Sequence, residues 1–359
     1  MVNGINFVVW AVAEEQAKAG HRVGILLTGK PSPAAESISS ASGLELLPVS
    51  LRLWQPRFRL LALPDVSAFR PDVLHLHSVF SPMLARICTE AVRLDIPYVL
   101  TPHGGLTTEG LERSKFRKLV YSALVERTRF ERARGITILT PEEEKNIRSF
   151  VPRFTGPIEH IANPIDDELA KGIHRDPIIV KRSPKLLYLG RLDVEQKGID
   201  VLFAIAATLP NIELHIYGDQ APKSKKPISA LMHTKPDNVF IHRPVYGQQK
   251  AEVLAAADMY VQCSRWEGFS ISIAEAMGAG VPIAIADTMH LAPVVESLNL
   301  GLVVPLQAKT AAAMISQALA NPDKLSEWSG NARRHALTHF RRKDISAKYV
   351  EFYRQAISD

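Results

Sequence analysis

Apolar residues fall along the chain in two alternating rhythms. Short buried-type runs appear at Val23-Gly24-Ile25-Leu26-Leu27, Leu186-Leu187-Tyr188-Leu189, Met259-Tyr260-Val261 and Val281-Pro282-Ile283-Ala284-Ile285. The first reads as a strand and the other three as buried strands. Between them apolar residues recur at helical spacing, as at Ile199, Leu202, Phe203 and Ala206, and at Ile271, Ala274, Met277 and Gly278. Strand and helix in alternation predict an α/β architecture with parallel sheets. Its 359 residues suggest two domains, each able to bury its own core.

The beginning departs from that rhythm. Ile5, Phe7, Val8, Ala11, Val12 and Ala17 give a helical pattern from Gly4 to Gly20, and the strand His21–Thr28 follows it. No strand precedes the helix, so the N-terminal domain is expected to lack its first strand and to expose a neighbouring strand edge. Pro31–Ser42, rich in Ser, Ala and Pro, reads as a loop, and Leu44–Val49 as a short strand. A helix is expected over Lys115–Arg134. Thr140-Pro141-Glu142-Glu143 reads as a helix start, with an N-cap threonine and proline at the first position. Asn163-Pro164 is a turn signal. The expected domains are 1–165 and 166–343, with Lys181–Pro184 as a linker near the boundary. A terminal helix at 344–359 carries Tyr349, Phe352 and Tyr353 on one face.

Composition narrows the class. No apolar run is long enough to span a bilayer, and no signal pattern opens the chain. Two cysteines, Cys88 and Cys263, stand far apart, which fits neither a disulfide framework nor a metal knuckle and suits a reducing cytoplasm. The net charge of +6 is partly concentrated at Arg113, Lys115, Arg117, Lys118, Arg127, Arg129, Arg132 and Arg134. That cluster reads as a solvated helix face, with attraction to an anionic membrane surface as the functional alternative. No nucleic-acid module accompanies it. There is no Walker loop and no Gly-x-Gly-x-x-Gly opening a helix, which argues against nucleotide hydrolysis and dinucleotide redox chemistry.

The richest stretch is Ser264-Arg265-Trp266-Glu267-Gly268-Phe269-Ser270-Ile271-Ser272-Ile273-Ala274-Glu275-Ala276-Met277-Gly278. It reads as a loop and helix between two strands. Glu267 lies in the loop and Glu275 about two turns into the helix. Between them the helix start, near Gly268, Phe269, Ser270 and Ile271, offers free N–H groups and a favourable dipole to a phosphate. Two carboxylates flanking an anion site fit an anion joined on each side to a group rich in hydroxyls. The plainer alternative makes Ser272-x-x-Glu275 a capping box and Glu267 a solvated loop residue.

Glu267 to Glu275, seven residues apart inside this stretch, resembles the E-x7-E motif of retaining glycosyltransferases of family 4. These are GT-B enzymes in which two Rossmann-like domains face a cleft. The resemblance implies that Glu267 contacts hydroxyls of a donor sugar and Glu275 the ribose of a nucleotide. Gly190-Arg191 and Lys197-Gly198 resemble the family element whose cations neutralise the leaving diphosphate, with a spacer about one residue longer than usual. Thr101-Pro102-His103-Gly104 resembles the segment whose histidine reaches the donor sugar. Gly218-Asp219 resembles the family's glycine-bearing strand end, and Gly4 stands where a glycine-rich turn would face the phosphates. Ile161-Ala162-Asn163-Pro164-Ile165-Asp166 resembles the interdomain segment.

His75 and His77 share a strand face, with core or supporting roles expected. Leu51–Pro64, with Trp54 and Phe58, reads as part of an acceptor site or a surface helix. Lys223–Lys226 reads as a basic loop. The implied donor is a nucleotide-diphosphate sugar, with no metal and no other cofactor, and the acceptor a saccharide, lipid-linked or other hydroxyl. The implied location is the cytoplasm, including the inner face of the membrane, in bacterial polysaccharide or glycolipid synthesis. A sugar-nucleotide epimerase, a non-catalytic nucleotide-sugar binder and a basic nucleic-acid binder remain as rivals.

Overall fold

The computed structural model describes residues 4–28, 30–49, 68–106, 121, 125–166, 169, 183–220 and 227–358. Leu51–Pro64, Lys223–Lys226, the residues 181–182 of the linker, and Arg113, Lys115, Arg117 and Lys118 lie outside them. The chain divides into two units, Met1–Pro164 with Arg342–Asp359, and Ile165–Arg341.

The first unit opens on helix α1 (Gly4–Lys18), then β1 (Gly24–Thr28), α2 (Pro33–Ser42) and β2 (Glu45–Val49). Next come β3 (Leu74–His77), α3 (Pro82–Arg93), β4 (Tyr98–Thr101), α4 (Arg127–Glu131), β5 (Gly135–Ile138), α5 (Pro141–Phe150) and β6 (Ile158–His160). Its strands form two separate parallel sheets, β1-β2 and β3-β4-β5-β6. Among the described residues no strand precedes α1, in keeping with the pattern at the start of the chain.

Pro31–Ser42 corrects the reading of a loop. Ser32 caps α2 by accepting the Ala35 N–H, Pro33 fits the first turn, and Gly43 closes the helix at φ 69°. Two good caps outweigh a composition of Ser, Ala and Pro. At α5 Thr140 is the N-cap and Pro141 the first residue, as expected, but the cap is backbone only. The Thr140 side chain makes no cap bond, and Glu143 Oε2 accepts the Leu139 N–H at 3.2 Å. The basic helix is also not all solvated. Arg129 is buried, 3.3 Å from buried Glu126, and donates to the Ser78 carbonyl. Glu126 accepts the Phe80 N–H. This pair therefore clamps the turn after β3, where Ser78 and Phe80 both hold positive φ.

The second unit runs β7 (Lys185–Leu189), α6 (Val194–Lys197), α7 (Ile199–Thr208), β8 (Glu213–Tyr217), β9 (Val239–His242), α8 (Gly247–Ala255) and β10 (Met259–Gln262). It continues through α9 (Ile271–Gly278), β11 (Ile283–Ala286), α10 (Ala292–Ser297), β12 (Gly301–Val304), α11 (Ala308–Leu319) and α12 (Pro322–His339). The order β12-β11-β10-β7-β8-β9 is parallel throughout and doubly wound. The order reverses between β7 and β10, and in such sheets ligands bind beyond the strand ends at that point. The strands bury Leu186, Leu187, Tyr188, Tyr260 and Ile285 on both faces, as their near-continuous apolar runs require.

Helix α13 (Arg342–Ser358) closes the chain within the first unit. Tyr349 and Phe352 are fully buried. The Phe352 ring lies where a side chain on Gly135 would sit, 2.5 Å from its ideal Cβ, so β5 must begin with glycine. Arg342 meets Glu14 at 3.5 Å and covers the Phe7 ring, tying α13 to α1.

Candidate active site

The candidate residues fall into two groups. Arg191, Lys197, Glu267, Glu275, Gly190, Gly218, Gly268, Phe269, Ser270 and Ile271 belong to the second unit; His103 and Gly4 belong to the first. Gly4 is the first residue of α1 rather than part of a turn between a strand and that helix.

In the second unit the loops after β7 and β10 meet at the reversal of strand order. Lys197, the last residue of α6, directs its ammonium onto Glu267 Oε2 in a close ion pair, with both side chains mostly buried. Lys197 is carried there by a tight turn. Asp193 caps α6 through the Gln196 N–H, and Gly198 follows at φ 64° with its ideal Cβ 1.9 Å from the Cys263 carbonyl oxygen. No side chain fits at Gly198, which brings the β7 loop against the end of β10. Arg265 reinforces that contact through two hydrogen bonds to Asp200, at 2.9 and 2.7 Å.

Behind Glu267 stands a polar network the sequence did not disclose. Gln262 Nε2 donates to Ser264 Oγ at 3.0 Å and approaches Glu267 Oε2 at 3.4 Å, as does the Ser264 hydroxyl. The hydroxyls of Tyr260 and Ser270 both donate to Gln262 Oε1. Burial raises the Tyr260 phenol first, and the charges of Glu267 and Glu275 push the same way. A buried glutamine in an otherwise apolar strand was the available signal, since such a group requires partners.

Ser270 is the N-cap of α9, accepting the Ile273 N–H at 3.4 Å. The helix therefore starts before Ser272, and Glu275 is not the closing residue of a capping box. It lies in the middle of α9, buried among Ala274, Ala276 and Met277. Its charge is met from α8, where Lys250 Nζ donates to Glu275 Oε1 at 2.5 Å. Phe269 packs edge-on against Phe340. Arg191 is exposed at the end of β7, its carbonyl held by the Tyr188 hydroxyl at 2.9 Å. Gly190 and Gly218 have a packing reason to be glycine: the ideal Cβ of Gly218 falls 1.8 Å from the Gly190 carbonyl oxygen.

The first unit gathers neutral groups instead. His103 follows β4 at φ 52°, in the left-handed region that costs a non-glycine residue about 1 kcal/mol or more. Its Nε2 lies 2.8 Å from His77 Nδ1. His75 Nδ1 lies 2.6 Å from the Tyr353 hydroxyl, and its Nε2 2.7 Å from Thr101 Oγ1. Burial lowers all three imidazoles, His77 to about 4. Buried Glu143 is raised to about 7 by desolvation, and its Oε1 has no hydrogen-bond partner among the described residues. Among the described residues no group of three or more His, Cys, Asp or Glu is gathered as metal ligands, and no helix is long and apolar enough to cross a membrane.

Two α/β units with parallel sheets, one carrying cations and acids at its strand-order reversal, define a protein built to handle an anionic ligand. The family model for Glycosyl transferases group 1 matches residues 171–335, and that for Glycosyltransferase Family 4 matches residues 2–169. Together with the fold, these two matches make the chain a glycosyltransferase of GT-B architecture. It is 25% identical over 328 residues to a GDP-mannose-dependent alpha-mannosyltransferase of Mycobacterium tuberculosis, covering 85% of this chain and 81% of that one. Among solved structures it resembles sucrose-phosphate synthase from Thermosynechococcus elongatus, with TM-score 0.77, 21% identity, and 99% and 94% of the two chains covered. It also resembles Anabaena HepE in complex with UDP and glucose, with TM-score 0.77, 16% identity, and 98% and 95% covered.

Proposed function

We propose that the protein is a retaining, metal-independent glycosyltransferase of family 4 that moves a sugar from a nucleotide diphosphate to an acceptor hydroxyl in bacterial glycan synthesis. The observation that carries this reading is the Lys197–Glu267 pair at the β7–β10 reversal, beside the N-terminus of α9. A cation and an acid in contact there suit a ligand with a phosphate next to hydroxyls. The mannosyltransferase relative and the structural neighbour holding UDP and glucose support the choice of a nucleotide sugar.

In this mechanism the bond between the sugar C1 and the diphosphate oxygen breaks, and both electrons leave with the diphosphate. Arg191, Lys197 and the first N–H groups of α9 stabilise the charge that gathers there. Glu267 holds sugar hydroxyls and Glu275 the ribose. The acceptor oxygen bonds C1 from the face the nucleotide leaves, and its proton passes to a phosphate oxygen. No protein nucleophile takes part. The first unit serves the acceptor, which is a saccharide or lipid-linked hydroxyl. Exposed Arg127, Arg132 and Arg134 attract the protein from the cytoplasm to an anionic membrane face.

The test is transfer by purified protein supplied with nucleotide sugars that shift its melting temperature. Glu267→Ala should abolish transfer and leave the fold intact by circular dichroism. Near-normal turnover in that variant would overturn the assignment. Altered sugar still attached to nucleotide, with no acceptor present, would favour an epimerase, and binding without turnover a non-catalytic binder.

A further inference from the structure

Lys250 is not part of the motif that drew attention to Glu275, yet it is the cation that meets that acid. It stands in the first half of α8, twenty-five positions upstream, and its side chain is 14% exposed against 5% for Glu275. Glu275 occupies the centre of a helix whose neighbouring residues, from Ile273 to Gly278, are all buried. An acid at such a place costs several kcal/mol unless a counter-charge and hydrogen bonds meet it. Lys250 supplies both with one contact.

A purely structural pair would be an odd choice. Apolar side chains of similar volume hold two helices together at least as well as a buried ion pair. The pair makes sense if a carboxylate is needed at that place for a further purpose. A vicinal diol is a ligand that needs an anionic acceptor there, since each hydroxyl donates a proton to a carboxylate oxygen. Tyr260, buried on β10, feels the charges of both Glu267 and Glu275. Glu267 Oε2 lies 3.4 Å from Gln262 Nε2 on β10, α9 packs against the same strand, and each acid has its own lysine.

We propose that Lys250 is a positioning residue for ribose recognition: its ammonium fixes the Glu275 carboxylate in the charge and orientation that accept hydrogen bonds from the ribose hydroxyls of the nucleotide. This rests on the reading of Glu275 as the ribose residue. Lys250 thus sets the preference of the protein for ribonucleotides. Lys197 plays the matching part at Glu267, but it also serves the diphosphate, whereas Lys250 acts through the acid alone.

The experiment is calorimetric titration of the full chain with UDP, GDP and ADP, each beside its 2′,3′-dideoxy form. The wild type should bind the ribose form of at least one diphosphate about tenfold more tightly than its dideoxy form. Lys250→Met should bring that ratio to about one by weakening the ribose form alone, and Lys250→Arg should restore most of it. Glu275→Gln should lose the same ratio, and the double variant Lys250→Met with Glu275→Gln should lose no more. Equal weakening of both forms in Lys250→Met, or an unchanged ratio, would overturn the inference. If Lys250→Met does not fold, Lys250→Arg still decides, because a ratio as low as in Glu275→Gln rejects a role fulfilled by any cation. A wild type that binds both forms equally overturns the roles of Lys250 and Glu275 but leaves diphosphate binding standing. A wild type that binds none of the diphosphates overturns the proposed function and this inference together.

Discussion

The two units end their strands in opposite kinds of polar chemistry. At the β7–β10 reversal the groups are charged and met by charge, Lys197 with Glu267 and Lys250 with Glu275. At the ends of β3, β4 and β5 they are neutral and joined by hydrogen bonds, from Tyr353 through His75 to Thr101, and from His77 to His103. The difference follows from what stands beside each group. Lysines reach into the second site and contact its two acids where both have little access to water. The histidines have mainly one another as charged neighbours, and burial with mutual repulsion keeps them unprotonated. A site of paired charge can exchange one partner for a charged ligand. A neutral network holds shape, and it fails when pH adds or removes protons.

Breaking one ion pair should give the largest effect. Lys197→Met leaves Glu267 mostly buried without its cation, and it removes one of the charges offered to the leaving group. Transfer should fall by about two to three orders of magnitude, the range for loss of one electrostatic stabiliser. Stability should fall by about 3 kcal/mol, as when one partner of a buried pair is removed. Activity and urea unfolding measured on the same preparation check both, and a variant that loses stability but not activity would show the pair to be structural.

The converse case is Glu143, a buried acid that meets no cation among the described residues. Its folded pKa of about 7 stands above the ordinary 4.5, so the unfolded chain gives up this proton first. The resulting destabilisation is absent below 4.5, grows as pH rises through that value, and is complete above about 7. At 1.36 kcal/mol per pKa unit it amounts to about 3 kcal/mol. Glu143→Gln, which keeps an oxygen for the Leu139 N–H, should match the wild type near pH 4 and exceed it by about that amount at pH 8. Parallel stability curves across that range would refute the assignment of a neutral acid.

The same contrast explains what the chain disclosed before its fold was known. Strands β7, β10 and β11 were legible because burial on both faces writes them as unbroken apolar runs. Glu267, Lys197 and Arg191 were singled out through the resemblance of their segments to family motifs, and the structure brings Lys197 and Glu267 into contact. Helix α2 was not, since its evidence was two caps rather than a periodic face. Lys250 and Gln262 were not singled out either, because each acts through a contact made from another element, and one sequence carries no record of such pairs. Gly218 was singled out by its resemblance to a ligand-facing strand end, and the structure gives it a packing cause in the Gly190 carbonyl. A glycine at a strand end answers to both demands, and sequence does not separate them.

The histidines supply an effect of similar size with the opposite sign of pH dependence. His77 is held near pKa 4, below its usual 6.5, so the folded chain refuses a proton that the unfolded chain accepts. Stability is complete above pH 6.5 and declines as pH falls toward 4. His77→Asn should remove up to about 1.4 kcal/mol per pH unit from that decline between pH 6 and 5. His75 and His103 face the same group and keep the remaining slope. Thermal unfolding across pH 5 to 8 measures it, and an unaltered slope in the variant would place the proton elsewhere.

Tyr353→Phe should have the smallest effect and isolates what holds the last helix. The phenol on α13 is 2.6 Å from His75 Nδ1 on β3, while His75 Nε2 is already engaged by Thr101. Removing the hydroxyl leaves a buried ring nitrogen without that partner, which costs about 1 to 2 kcal/mol. The ring itself stays, so packing against Tyr349 and His75 is kept. Because no charge is altered, the loss should be the same at pH 6 and pH 8, unlike that of either titrating residue. Hydrogen exchange should quicken in α13 and in β3 before it does in the second unit. A loss that varied with pH would mean that His75 carries charge in the folded chain, and the contrast between a charged site and a neutral one would then fail at its neutral end.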